Sequence, residues 1–250
     1  MELTLFSGTS KLKERVGLYY KLTRSFFIQQ SICLLCAHRC NQMPLLCRYC
    51  YQDLVRFKYH HVAHNLLNWP AIANNIKHKH IDRLVCAAPY QWPVDQWITG
   101  LKYHNQYHYA CLLGNIITPF LKRHLLNIEY RDALVIAVPI STSKWTKRHY
   151  NQCHLIARQL QKRIPSLNYR TDILIHVGNK NSQVGKSGTA RRAMQSTFEV
   201  TNRAEVKNRR VILLDDVLTT GTTANSIAGL LKKNGADKVA VVTIALSLPD

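Results

Sequence analysis

Acidic side chains are scarce in this 250-residue chain: 14 Asp and Glu stand against 34 Lys and Arg, a formal net charge of +20. Residues 1–127 hold 15 basic and 5 acidic residues, and residues 128–250 hold 19 and 9, so each half carries +10. The charge belongs to the body of the protein and not to a detachable tail. Such a surface attracts phosphate-rich partners, although a basic proteome or simple solubility accounts for it equally well. Long apolar runs are also missing. None approaches the roughly 20 residues needed to cross a bilayer, and the longest, residues 133–140 and 239–248, read as buried strands. The basic stretch from Lys11 to Arg24 and the apolar one from Phe26 to Leu35 make a poor export signal. The apolar part is broken by Gln29 and Gln30, and the basic part is long and amphipathic. A cytoplasmic protein is expected. Neither GxxxxGK[ST] nor GxGxxG occurs, which argues against a nucleoside triphosphate held by a P-loop and against a dinucleotide fold. Internal repeats and low-complexity linkers are absent.

What is present suits a packed core: 46% hydrophobic residues, with a mean hydropathy of −0.18. Five of the eight cysteines fall within eighteen residues, unlike the spread pairs of a disulfide scaffold. Cys33-x2-Cys36 and Cys47-x2-Cys50 supply two CxxC turns, which together complete a tetrahedral four-thiolate shell for a structural zinc with no open position. Cys40 introduces an ambiguity, since it could replace one ligand; it is read as a spare thiol. The rival redox reading of CxxC lacks its strand–helix setting.

Four regions follow: a basic extension over 1–30, the four-cysteine module over 31–55, a segment over 56–127 read mainly as helices, and a strand–helix alternation over 128–250. The alternation predicts an α/β domain, a parallel sheet with flanking helices. Its strands are expected at Leu134–Val138, Ile173–His176, Val211–Asp215 and Val239–Ala245, and its helices at Gln152–Arg163 and Thr223–Asn234. In the last helix Ala224, Ile227, Ala228 and Leu231 form one apolar face, and Gly235 suits a left-handed cap.

The strongest signal runs from Arg209 to Thr223. A buried strand delivers Asp215 and Asp216 to its C-terminal end, where open α/β sheets bind ligands. A turn bearing Thr219, Thr220, Gly221, Thr222 and Thr223 follows, and then a helix begins. The helix start offers unpaired N–H groups and a positive dipole end to a phosphate. The threonines add hydroxyl donors, Gly221 permits close approach, and the carboxylates can accept from vicinal ribose hydroxyls. The pattern is shaped for ribose 5-phosphate. As an ordinary turn it would leave two carboxylates repelling each other without purpose.

Histidines 60, 61, 64, 78, 80 and 104 invite a second metal site, with His60 and His64 at i, i+4. Without a third ligand at recognisable spacing they read as solvated or nucleic-acid-facing. Tyr103, Tyr107 and Tyr109 suit base stacking or, more simply, core packing.

The stretch Leu213–Thr223 resembles the phosphoribosyl pyrophosphate loop of type I phosphoribosyltransferases. Together with Cys33–Cys50 it resembles the ComF family of competence-associated proteins, which includes GntX-like members. Three further stretches are similar to that family: Ile98-Thr99-Gly100-Leu101-Lys102, Val138-Pro139-Ile140 followed by Arg148-His149-Tyr150-Asn151-Gln152, and the series Gln183, Arg192, Phe198. Departures from the family pattern are His149 at a usual glycine, Ala193 at a usual asparagine, and Asn179 where a basic residue is expected. The resemblance implies a type I phosphoribosyltransferase-like sheet preceded by a zinc module and a helical segment. It also implies phosphoribosyl pyrophosphate with Mg²⁺ as ligand. Asp215, Asp216, Lys144 and Arg148 would stand at the reacting centre, and residues Gly178–Ser196 would form either a lid hinged at Gly185 and Gly188 or a disordered surface loop. Two functions follow. One is action in natural competence and DNA uptake, with single-stranded DNA and competence-machinery proteins as partners. The other is a metabolic phosphoribosyltransferase with an unknown acceptor.

Overall fold

The computed structural model describes residues 32–40, 45–178 and 197–247. The basic extension and all of the expected lid beyond Gly178 lie outside the described residues. The chain divides into two compact units, Met1–Leu54 and Val55–Asp250.

In the first unit a bridge pairs Ile32 with Arg39 in antiparallel fashion. Between them the Cys33 N–H donates to the His38 carbonyl at 2.8 Å and the Ala37 N–H to the Cys33 carbonyl at 2.9 Å. This tight turn has Ala37 at φ 57°. A short helix, α1 (Arg48–Asp53), starts on Cys47, whose sulfur caps it by accepting from the Cys50 N–H.

The second unit is built on a five-stranded sheet. Its strands are β1 (Arg83–Pro89), β2 (Leu134–Ala137), β3 (Asn168–Arg170), β6 (Arg210–Leu218) and β7 (Lys238–Leu246). The order is β1-β7-β6-β2-β3, and every pair is parallel. In β7 every residue after Lys238 is buried, so the strand is covered on both faces, as parallel strands usually are. Helix α6 (Gln152–Arg163) connects β2 to β3, and α8 (Thr222–Lys233) connects β6 to β7. These two crossovers step in opposite directions across the sheet. Right-handed crossovers therefore carry α6 and α8 to opposite faces. Helix α4 (His108–Leu121) packs beside α6 and reaches β1 and β7. The face of α8 read from the sequence, Ala224, Ile227, Ala228 and Leu231, is the buried one, and Gly235 takes φ 93°.

Three expectations are corrected. Segment 56–127, read mainly as helices, is not helices and loops alone. After a 4-residue helix, α2 (Pro70–Ala73), it supplies β1, while α3 (Val94–Tyr103) and α4 are indeed helices. Strand Ile173–His176 does not join the parallel sheet. As β4 (Leu174–His176) it pairs antiparallel with β5 (Phe198–Val200) in a separate ribbon. Ile175 and Glu199, paired across it, are exposed while Leu174, Phe198 and Val200 are buried, the alternation of a ribbon with one wet face. Finally, β6 runs past Asp215 to Leu218, so the carboxylate pair lies within the strand and not at its end. Two further short α-helices belong to the unit, α5 (Thr142–Arg148) and α7 (Arg203–Val206), beside a 3-10 turn at Leu66–Asn68 and a π-helical turn at Lys122–Leu126. His149 closes α5 at φ 60°, a left-handed position that explains why a glycine is the easier residue there.

Candidate functional site

The site arises because β2 is shorter than its neighbour. Ala137 of β2 pairs with Leu214, and the Val138 N–H makes one more bond to the Leu214 carbonyl at 2.9 Å. Pro139 has no N–H to continue the ladder. Beyond this point β6 is paired on the β7 side, through Leu218 with Leu246. The flank vacated by β2 is where the crossovers diverge, the crevice in which open α/β sheets receive ligands.

A cavity of about 410 Å³ occupies it. Asp215, Asp216 and Val217 of β6 line it, together with Thr223 of α8, Lys144 and Arg148 of α5, Gln152 and Cys153 of α6, and Lys102 and Tyr103 of α3. Val138, Pro139, Ile140 and Ser141 after β2, with His176 and Phe198 of the ribbon and Thr197 just before β5, complete the lining. The structure thus brings Asp215, Asp216, Lys144, Arg148 and Thr223 together. Thr219, Thr220, Gly221 and Thr222 are not among the lining residues. The three threonines are exposed on the turn, with the Thr220 and Thr222 hydroxyls 3.0 Å apart.

Gly221 is required for a reason besides the expected approach to a ligand. It takes φ 70°, and a Cβ there would meet Ile76 and stand 2.7 Å from the Lys77 carbonyl oxygen. The space beside it belongs to the chain itself. The Lys77 N–H donates to the Thr220 carbonyl at 2.9 Å, and the His80 N–H to Asn225 Oδ1 at 2.8 Å. The turn is therefore braced by segment 76–80.

The electrostatics centre on Asp216, which is buried. Its Oδ1 meets Lys102 Nζ at 2.9 Å, while its Oδ2 has no hydrogen-bond partner. Burial opposes the Lys102 charge, yet the carboxylate of Asp216, seconded by Asp215, raises its pKa. Asp215 accepts from the Asp216 N–H at 2.9 Å and from the Cys153 thiol at 3.5 Å. Burial, then the neighbouring Asp216 charge, push its pKa up to about 7. The Cys153 thiol is held well above its ordinary pKa by burial and then by Asp216 and Asp215. Arg148 donates to Gln152 Oε1 at 3.0 Å and lies 4.8 Å above the Tyr103 ring.

Two members of this cluster were not assigned to the carboxylate site from sequence. Lys102 stood in a family-like stretch without a partner. The structure explains the stretch: Gly100 makes room for Tyr109, whose ring would lie 2.5 Å from a Cβ, Leu101 is buried, and Lys102 reaches Asp216. Cys153 gave no signal beyond its place after Asn151-Gln152. Tyr103 and Tyr107 are 64% and 53% exposed and do not pack in the core. His60 and His64 share no helix, since Ala63 and His64 both have positive φ. His64 instead faces buried His124, with 2.8 Å between Nδ1 atoms.

In the first unit the sulfurs of Cys33, Cys36, Cys47 and Cys50 all lie within 4.8 Å of one another. Cys36 and Cys47 are 3.6 Å apart. Tetrahedral zinc with Zn–S of about 2.3 Å implies sulfur separations of roughly 3.8 Å, so the four residues fit that shell. Burial opposes ionisation of Cys33, but N–H groups of Cys47, Leu35 and Cys36 outweigh it and lower its pKa to about 6. Among the described residues the other set of three close potential ligands is Cys153, Asp215 and Asp216.

The phosphoribosyl transferase domain model matches residues 152–248. Over 172 residues the chain is 32% identical to Competence protein F of Haemophilus influenzae, covering 66% of this chain and 72% of that one. It is 27% identical over 169 residues to DNA utilization protein YhgH of Escherichia coli O157:H7, covering 66% and 73%. Competence protein ComFC of Streptococcus pneumoniae aligns at 22% over 128 residues, 51% of this chain and 54% of that one. With a phosphoribosyltransferase-type sheet, a clustered set of four cysteines, and a relative of this identity and coverage, the chain belongs to the ComF family of competence proteins.

Proposed function

We propose that the protein binds phosphoribosyl pyrophosphate with Mg²⁺ in the cavity beside β6, and that it contacts single-stranded DNA in the uptake of transforming DNA. One observation carries the first part: Asp215, Asp216, Thr223, Lys144 and Arg148 converge from three elements on one polar cavity at the switch point of the sheet. In this reading the carboxylates accept from the ribose hydroxyls. Thr223 and the N–H groups that open α8 receive the 5-phosphate. Lys144 and Arg148 face the pyrophosphate, whose charge Mg²⁺ neutralises when bound. Calorimetric titration of phosphoribosyl pyrophosphate with Mg²⁺ tests it. Binding to the wild type that is lost in Asp215→Asn/Asp216→Asn supports the assignment, and no binding by the folded wild type overturns it.

The DNA contact is supported by the +20 charge, by exposed Tyr103, Tyr107 and Trp145 near basic Lys144, Lys147 and Arg148, and by the names of the relatives. Fluorescence anisotropy of a labelled single strand should show affinity falling steeply with salt. Negligible affinity at physiological salt removes this part. On the same reading residues 31–55 are a module held by a structural zinc, in keeping with a reducing cytoplasm.

A second reading, turnover, is favoured by Asp215. A carboxyl with a pKa of about 7 is poised to take a proton from an acceptor as pyrophosphate leaves the anomeric carbon. Acceptor-dependent pyrophosphate release is its assay, and its absence across nucleobase and amine acceptors would leave binding alone.

A further inference from the structure

Pro139 lines a second cavity as well as the first. This one has a volume of about 320 Å³ and lies among the C-terminal part of β2, α5, the start of α6 and β3. Its wall is apolar along Ile136, Ala137, Pro139 and Leu174, and the indole of Trp145, 52% exposed, stands at it.

The polar groups of the lining are mostly committed. Asn151 Nδ2 donates to the Val138 carbonyl, and its Oδ1 accepts from the Cys153 and His154 N–H groups. The Tyr150 hydroxyl donates to the Leu101 carbonyl. Arg170 is held bidentately by Asp172 and also meets Glu205 at 3.4 Å. Left over are the exposed Thr171 hydroxyl and one pair, His154 Nδ1 and the Tyr169 hydroxyl, 2.7 Å apart.

That pair has a definite capacity. Burial, then Arg158, lower the His154 pKa, so the ring is neutral at pH 7 and carries one N–H. The tyrosine carries one O–H. Their mutual bond uses one of these two hydrogens and leaves the other free. If Tyr169 donates, His154 Nε2–H is the free donor and the phenol oxygen accepts. If His154 donates, the phenol is the free donor and Nε2 accepts. Either way the pair offers one donor and one acceptor at its two ends, Nε2 and the phenol oxygen, and a shift of the imidazole tautomer exchanges them.

A small, largely apolar cavity with an exposed indole and an exchangeable donor and acceptor is complementary to a heterocycle that carries a donor and an acceptor at separate points of its rim. The volume stands at the lower end for ligand pockets and admits a base more readily than a whole nucleotide. The cation in the lining is already paired, so a phosphate finds no free charge there. We propose that this cavity is a nucleobase slot, with Trp145 stacking on the ring and His154–Tyr169 reading its edge. The slot stands on its own lining and does not depend on phosphoribosyl pyrophosphate binding in the neighbouring cavity. The base comes either as a free nucleoside or from a single strand whose phosphates run past Lys144 and Lys147 on α5.

The test uses the full-length protein and its Trp145→Leu and Tyr169→Phe variants, with folding checked by circular dichroism. Adenosine and cytidine are titrated calorimetrically. A short single strand and an abasic strand of equal length are compared by anisotropy. Saturable nucleoside binding that falls about tenfold in Trp145→Leu and severalfold in Tyr169→Phe is the expected result. A base-bearing strand that outbinds the abasic one, with the excess lost in both variants, assigns the base to a strand. Equal binding or no binding of the two strands, with nucleoside binding intact, assigns it to a free base and leaves the slot standing even if the DNA contact fails. If no nucleoside binds saturably and the strands do not differ, or if neither substitution changes the binding seen, the slot is refuted.

Discussion

Replacing Lys102 with methionine keeps most of the side chain's volume and removes its charge. The Lys102 and Asp216 side chains are 17% and 5% exposed, and the second Asp216 oxygen has no partner. Removing the cation therefore leaves a buried carboxylate next to Asp215 and the Cys153 thiol. Stranding a buried charge in this way costs about 3–5 kcal/mol if the charge persists. The protein can reduce that cost by protonating the carboxyl pair, which fixes the sign of the pH dependence. Without Lys102 the folded pKa of Asp215, already pushed up to about 7 by burial, rises further above that of the unfolded chain. The folded variant then holds protons that the unfolded chain releases, so its stability falls as pH rises through that window, by at most about 1.4 kcal/mol per proton per pH unit. Urea unfolding of wild type and Lys102→Met should show a deficit of about 1 kcal/mol at pH 5 growing to roughly 3 kcal/mol at pH 8. Adding Asp216→Asn should restore most of the loss at pH 8. A deficit that is equal at both pH values, or a double variant no better than the single one, would refute the claim that Lys102 neutralises this carboxylate.

Asp215→Asn should act in the opposite sense. The folded pKa of about 7 lies above the unfolded value, so the native state retains a proton between about pH 4 and 7 and loses stability as pH rises across that range. The asparagine variant should match the wild type near pH 4 and exceed it by on the order of 2 kcal/mol at pH 8 in the same urea assay. Gly221→Ala places a Cβ against Ile76 and Lys77 at a left-handed φ, and should cost about 2 kcal/mol or more by thermal or urea unfolding. Chelation should release one zinc per chain, measured with a colorimetric indicator, and loosen residues 32–54 while the Trp97 and Trp145 signals of the second unit stay unchanged.

The extent to which this molecule could be read from its sequence follows the range of each interaction. Strand β6 and helix α8 were legible because an uninterrupted apolar run and an i, i+3, i+4 face are local signals. So were the paired CxxC turns, which the structure gathers within 4.8 Å. Strand β1 was not legible. Its Cys86-Ala87-Ala88-Pro89 half has weak strand preference, and the segment is held as a strand by β7, more than 150 residues later. For β4 the strand itself was visible but its partner was not, since three alternating residues do not say which sheet they join. The Lys102–Asp216 pair and the Cys153–Asp215 contact join residues 114 and 62 positions apart, with nothing local to announce either. The packing demand on Gly221 was hidden for the same reason: the residues that crowd it are Ile76 and Lys77, from a segment with no motif of its own.

That segment has a genetic consequence. Residues 76–80 hold the turn before α8 through the Lys77 N–H, the His80 N–H 145 positions from Asn225, and the His80 ring packed where a Cβ on Gly229 would be. If the cavity beside β6 captures the proposed ligand, an unselected screen for defective capture would return lesions around 76–80, far from the lining, as well as around 102, 144–148 and 215–223. Compensating changes for a lesion around 76–80 should then be sought around 215–223, and a recombinant that exchanged only one of these two stretches with a relative would inherit a mismatched turn.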